Sequence, residues 1–289
     1  MIHLPPLPPF VLGLSDQEHH EVEVAASGWA GPSDCNICSG SRSFRWYAYE
    51  SVEWMSNRSM DPLVIREYEC PCAEQWLLHR HLLGRGILRD YQTLSLRDFE
   101  SRDKQDVAIG YIGEIDLNIR YGVGMLLTGS HGTGKSMLSA LVVKAATSRN
   151  VSAYYTTFGS MIETYVQTKF SAEDRNRLKA KLKAAKLLVI DELGNELKMK
   201  WERDVSNEAK ALLDDVLRFR NGNKLCTFVT TNLDMAQIAK LYGSNVESLL
   251  TTFDHNEFRG DDFRVNTTAR LKRERDLRLD RPITFGIPI

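Results

Sequence analysis

The sequence has no long apolar run. Its longest aliphatic stretches, Met125-Leu126-Leu127 and Leu187 to Ile190, are far too short to span a bilayer. It has almost no net charge, −1 from 37 Lys+Arg and 38 Asp+Glu. No global field therefore draws it onto nucleic acid, and any such contact must come from a local patch. Only five cysteines occur, too few for a disulfide-dense secreted scaffold. Beyond the prolines within residues 5–9 there is no low-complexity tract, and no internal repeat is visible. The first residues, Met1 to Leu14, lack a basic leader and do not read as a signal peptide. The expected location is cytoplasmic. What is present is an ordinary globular composition, 43% hydrophobic and 26% charged over 289 residues, long enough for one or two domains.

Four of the five cysteines are paired: Cys35 with Cys38 as C-x2-C, and Cys70 with Cys72 as C-x-C. Two close pairs folded together put four thiolates around a tetrahedral zinc ion. In a reducing compartment this reading outranks disulfides. Two strand-like runs, Ser43 to Tyr49 and Leu63 to Glu69, lie between the pairs, giving a zinc-ribbon plan. The C-x-C pair is tighter than usual, and His79 or His81 is an alternative fourth ligand. With four thiolates the site is closed, so the zinc is expected to be structural. Residues 73–83 read as a short helix, broken by Gly84-Arg85-Gly86. The expected domains are a Pro-containing segment 1–30, a zinc-binding domain 31–84, a nucleotide-binding domain 85–264 and a basic tail 265–289.

Gly129-Ser130-His131-Gly132-Thr133-Gly134-Lys135-Ser136 matches the phosphate-loop pattern G-x-x-x-x-G-K-[ST] without deviation. An apolar strand-like run, Gly124 to Thr128, precedes it, and a helical pattern from Met137 to Thr147 follows. Strand, glycine-rich loop and helix are the context the motif requires. Its amides curl around phosphate oxygens at a helix N-terminus. The expected nucleotide set is Gly129, Gly132, Thr133, Gly134, Lys135, Ser136 and Met137. Lys135 reaches the outer phosphates, and Ser136 offers its hydroxyl to Mg²⁺.

Leu187 to Ile190 suits a central parallel strand covered on both faces. Asp191 and Glu192 at its end would project into the ligand crevice. Asp191 is the expected holder of the Mg²⁺ water shell, and Glu192 the base that orients the attacking water. A further strand, Leu225 to Thr231, leads to Asn232. Asn232 is placed to sense the terminal phosphate, with Thr231 as the alternative. Lys135, Glu192 and Asn232 are thus the expected catalytic residues of an ATPase.

Taken together, the P-loop, Leu187 to Gly194, Arg218 to Lys224, Phe228 to Leu233, Tyr242-Gly243 and Asp261 to Arg264 resemble the bacterial helicase-loader family of AAA+ ATPases. These are the DnaC and DnaI type, with the IstB-type transposition helpers as close relatives. The resemblance spans about residues 89–264. It implies an α/β fold, a P-loop AAA+ domain with a central parallel sheet in αβα layers, behind a small zinc-ribbon-like domain that grips a helicase. It implies ATP, Mg²⁺ and structural zinc as cofactors, assembly into a spiral or ring, and a hexameric replicative helicase and single-stranded DNA as partners. It places Arg264 as the later, sensor-type arginine on the nucleotide. It also implies an arginine finger supplied in trans, but Leu249 occupies that position. Such an arginine is worth orders of magnitude in rate. Arg259, Arg264 and Arg270 are the substitutes in reach.

In the same family the element between the P-loop helix and the acidic strand holds single-stranded DNA. Here it carries Tyr154, Tyr155, Phe158, Tyr165, Lys169 and Phe170, then a basic run from Arg175 to Lys186. Tyr165, Lys169 and Phe170 are the expected DNA contacts, aromatics stacking on bases and cations on phosphates. An ordinary amphipathic helix pair is the alternative. The rival functions are a transposition helper acting on duplex DNA and an adaptor that binds ATP but scarcely hydrolyses it.

Overall fold

The computed structural model describes residues 43–49, 63–99, 101–168, 171–195, 203–260, 262–263 and a few positions beyond. The chain forms two compact units, Met1–Gly84 and Arg85–Ile289.

In the first unit, β1 (Ser43–Tyr49) and β2 (Leu63–Glu69) pair antiparallel. Their register runs from Ser43 opposite Glu69 to Tyr49 opposite Leu63. Cys70 is buried at the end of β2. Helix α1 (Pro71–Gly84) follows at once, and proline suits the first helical position because its missing N–H would have no partner there. Cys35 and Cys38 lie outside the described residues.

The second unit begins with short α2 (Arg89–Gln92), a 3-10 turn at Leu96–Asp98, α3 (Arg102–Gly113) and α4 (Ile115–Tyr121). Then strands and helices alternate: β3 (Met125–Thr128), α5 (Lys135–Ser148), β4 (Ala153–Thr157), α6 (Phe158–Gln167), α7 (Ala172–Ala184), β5 (Leu187–Leu193), α8 (Arg203–Gly222) and β6 (Cys226–Thr231). The unit continues with α9 (Met235–Tyr242), α10 (Ser244–Leu250) and β7 (Asp254–Glu257). The sheet order is β4-β5-β6-β3-β7, with every pair parallel. Central strands with all residues buried, MLLT in β3 and LLVI in β5, are what a sheet covered on both faces demands.

Helix α8 shows how a stripe makes a core. Ala209, Leu212, Leu213, Val216 and Leu217 recur at helical spacing and are all buried. Truncating one such leucine to alanine costs about 2–5 kcal/mol. The stripe ends in Arg220, which is also fully buried. Its guanidinium donates to the carbonyls of Leu182, Ala185 and Cys226 and to Thr227 Oγ1, at 2.6–2.9 Å. That one side chain ties the end of α7 to the start of β6.

Lys144 does similar work on α5. Its buried Nζ donates to the carbonyls of Gln92 and Leu94 at 2.8 and 2.7 Å, and to that of Tyr91 at 3.4 Å. These are the orphan carbonyls at the end of α2, which a cation satisfies. Burial pushes the Lys144 amine down to about 7, against the opposing charge of Asp98.

Candidate functional site

All the strands of the five-stranded sheet run parallel, so their C-terminal ends gather on one edge. There Thr128 leads into the P-loop, Asp191 and Glu192 lie near the end of β5, and Asn232 follows β6. The P-loop turns because two glycines adopt backbones other residues avoid. Gly134 has φ +99 at the cap of α5, and Gly132 has φ +72. A Cβ on Gly132 would collide with the Asp262 carboxylate. The Thr133 hydroxyl donates to Ser130 O at 3.0 Å and closes the loop.

Lys135 is 7% exposed. Its ammonium donates to Gly129 O at 2.8 Å, Ser130 O at 2.7 Å and Asn232 Oδ1 at 2.8 Å. Three acceptors match its three N–H groups. The fold thus brings together two of the expected catalytic residues. Asn232 also faces P-loop His131, with its Nδ2 3.1 Å from the ring Nδ1. Ser136 and Met137 sit half-buried in the first turn of α5.

Asp191 is buried, and both its oxygens are held. Oδ2 accepts from Tyr155 Oη at 2.5 Å, and Oδ1 accepts from Thr230 Oγ1. Thr230 Oγ1 in turn accepts from the Glu192 amide at 3.0 Å. Burial, then the Asp191 charge, pushes the Tyr155 phenol far above its ordinary range, so it stays a neutral donor. Glu192 has φ +58, where the β5–β6 register slips between Ile190 and Leu193. Its Oε2 accepts from Asn195 Nδ2 at 3.0 Å. The donor set fits ATP·Mg: amides and an ammonium for phosphate, a hydroxyl at Ser136 and a fixed carboxylate at Asp191 for the ion.

One wall of the P-loop comes from the segment after β7. Phe258 N donates to Thr128 O at 2.8 Å and Phe263 N to Gly132 O at 3.1 Å. Ser130 Oγ donates to Gly260 O at 3.3 Å.

A family model described as "IstB-like ATP binding protein" matches residues 79–256, more than half of the chain. The chain belongs to this family. A curated relative, the replicative helicase loader DnaC of Escherichia coli strain K12, is 28% identical over 137 residues, which is 47% of this chain and 52% of that protein. The chain thus spans about half the length of the curated relatives it matches. A crystal structure of the DnaC helicase loader superposes with TM-score 0.51 at 20% identity, covering 59% of this chain and 99% of that one. Domain III of the Thermotoga maritima replication initiation protein DnaA gives TM-score 0.51 at 12% identity, over 66% and 76% of the respective chains. The fold is therefore the α/β P-loop fold of the AAA+ ATPases, in a chain of an ATP-binding family.

Other expected residues fare differently. Tyr165 is 9% exposed in the core, under Arg175 at 4.8 Å and Lys179 at 5.8 Å from the ring centroid. Phe158 is fully buried, and Tyr155 serves Asp191. As arranged, none of these rings offers a base an open face; the apolar faces went to packing and the cations to covering them. Lys169, Phe170, Arg264 and Arg270 lie outside the described residues. Leu249 packs against the hydrophobic core, and its carbonyl accepts from Asn221 Nδ2 at 3.2 Å. Arg259 is 82% exposed and bonded to Glu257 at 2.6 Å.

Sequence reasoning missed Tyr155 and Thr230. Thr230 carried a signal: it is a polar residue two positions before Asn232 in a strand otherwise suited to the core. Tyr155 carried none, because its partner depends on which strand lies beside β5. Among the described residues, no helix is long and apolar enough to cross a membrane.

Proposed function

We propose that this IstB-like protein is an ATP-dependent loader that delivers a hexameric replicative helicase onto single-stranded DNA. The observation that carries it is the ATP site joined to its likeness: Lys135, Asn232 and the clamped Asp191 converge on one edge of an AAA+ sheet, in a chain related to a helicase loader. Lys135 and the P-loop amides bind the phosphates. Asp191, held by Tyr155 and Thr230, and Ser136 would hold Mg²⁺, which supplies charge neutralisation at the phosphates when bound. Glu192 orients the lytic water, and Asn232 reports on the terminal phosphate through its contact with Lys135. Arg264 completes the nucleotide contacts. Copies assemble as a spiral or ring, and nucleotide state sets the grip on DNA. Leu249, partly buried against the core, stands in place of an arginine finger, which favours slow hydrolysis unless a partner or Arg270 supplies the charge.

In the first unit, Cys35, Cys38, Cys70 and Cys72 would hold a structural zinc. Two features support this: Cys70 is buried just after β2 of the β1–β2 pair, and Cys72 is the second residue of the helix that follows. That unit would grip the helicase.

The test is the mass of the complex, by light scattering, when the full chain meets the host replicative helicase with and without ATP·Mg. A stable complex whose formation or release follows nucleotide, and which Lys135→Ala uncouples from it, is expected. No complex, with ATP-dependent growth on duplex DNA instead, would replace the loader by a transposition helper. ATP binding without any turnover would leave a nucleotide-switched adaptor.

A further inference from the structure

Arg120, Lys186 and Lys224 belong to three separate connections and meet at one place. They line a cavity of about 590 Å³, with Asn150, Ser152 and Asn223 also in its walls. Arg120 closes α4 ahead of β3, Ser152 precedes β4, Lys186 precedes β5 and Lys224 precedes β6. The cavity therefore lies at the N-terminal edge of the parallel sheet. The ATP site lies at the other edge, where Asp191 sits near the end of β5 and Asn232 follows β6.

The charges here are unspent. All three side chains are exposed, and among the described residues no carboxylate lines the cavity. None of the three is ion-paired among the described residues. Arg120 rests its guanidinium 5.9 Å from the Tyr121 ring, a contact that uses none of its N–H donors. The neighbouring acid Asp116 is taken by Arg149 at 3.2 Å. The cations of α7 are the opposite case. Lys183 and Lys179 pair with Asp215 at 2.8 and 3.6 Å, Arg177 pairs with Glu173 at 2.7 Å, and Lys181 covers Tyr154 at 4.3 Å.

Two helices, α5 and α8, end at the cavity. Asn150 and Lys224 hold left-handed conformations, φ +58 and +51. For lysine this costs about 1–2 kcal/mol. Gly122 makes room for it, because a Cβ there would strike the Lys224 backbone. These are the left-handed caps that end α5 and α8: Val151 N donates to Ala146 O at 3.0 Å and Leu225 N to Arg220 O at 2.9 Å.

A near-neutral protein that binds a polyanion needs a local patch whose charges are not already neutralised. We propose that this cavity is a phosphate-backbone site for single-stranded DNA, on the edge of the ATPase unit opposite the nucleotide. The proposal rests on the single-stranded DNA reading above and moves the contact away from α6 and α7. Among the described residues the walls hold cations, small polar groups and aliphatic side chains but no aromatic ring, so the contact is to phosphates and does not read sequence.

The test is the full-length triple variant Arg120→Gln, Lys186→Gln, Lys224→Asn. Asparagine is chosen at 224 because it tolerates the left-handed backbone. Binding of a labelled oligothymidylate is followed by anisotropy across salt concentrations, with tripolyphosphate as competitor and a fluorescent ATP analogue as control. The variant should bind DNA more weakly, and its slope of log K against log salt should flatten by about 2, from three phosphates at roughly 0.7 each. ATP-analogue binding should match wild type. Unchanged DNA affinity and slope would overturn the proposal and leave the single-stranded DNA reading standing. A wild-type protein that binds no oligonucleotide at low salt would overturn that reading and the proposal with it. Tripolyphosphate binding lost in the variant while DNA binding is kept would make the cavity a free-polyphosphate site and overturn the DNA assignment.

Discussion

Replacing Tyr155 by phenylalanine removes one hydroxyl and keeps the ring. In the wild-type protein that hydroxyl is one of two donors to a carboxylate that is 1% exposed. The other donor, Thr230 Oγ1, serves the opposite oxygen. Without Tyr155, Asp191 Oδ2 stays buried with its donor gone. Hydrogen bonds to charged groups contribute about 1.5–3 kcal/mol, so a loss of about 2 kcal/mol is expected. For a unit of this size that lowers the melting temperature by roughly 4–8 °C. The pH dependence has a definite sign. The folded phenol is raised far above its unfolded value near 10. The stability it contributes is fully present below pH ~10 and falls as pH climbs beyond that, because the unfolded chain ionises first. The phenylalanine variant should lack that alkaline component. Its ATP affinity should fall several-fold with Mg²⁺ present and hold steady without it, since the clamp orients the carboxylate. Calorimetry across pH and nucleotide titration with and without Mg²⁺ measure all three. A variant that melts with wild type and keeps Mg²⁺-dependent affinity would refute the clamp.

Lys144→Met should alter stability in a pH-dependent way. The folded amine titrates at about 7 against an unfolded value near 10.5, so wild-type stability should rise between those values and the variant should lose that slope; denaturant titrations at pH 6.5 and 9 would show it. Gly132→Ala forces a side chain onto a backbone at φ +72, against the Asp262 carboxylate. It should cost about 1–2 kcal/mol and weaken fluorescent-nucleotide binding, and an unchanged melting curve would count against the described P-loop wall.

The parts of the fold that could be read in advance share one property: their signal is local. Strands β3, β5 and β6 announce themselves as short apolar runs because a doubly covered sheet buries every residue. The P-loop is eight consecutive residues. Lys135 is read from that loop and Asn232 from the end of the β6 run, and their 2.8 Å contact follows because parallel β3 and β6 are neighbours. The rest depended on neighbours. Tyr155 reaches Asp191 because β4 pairs with β5, with Tyr155 beside Val189 and Thr157 beside Asp191. No pattern within β4 states that pairing. Strand β7 reads Asp-His-Asn-Glu, three of four positions exposed. It forms on the edge of the sheet against β3, where polar residues are an asset. Tyr165 misled for a related reason. An aromatic near lysines looks the same in sequence whether it faces nucleic acid or lies under its own cations.

Glu192 combines two demands in one residue. Its left-handed backbone re-aims the chain where consecutive strand residues would otherwise point to opposite faces, so two adjacent acids can serve one edge. Glycine would relax that backbone and firm the fold while deleting the carboxylate; glutamine would keep the strain and delete only the charge. Robustness and chemistry therefore pull in opposite directions at this position. A drift towards greater thermal tolerance would lead away from the acid.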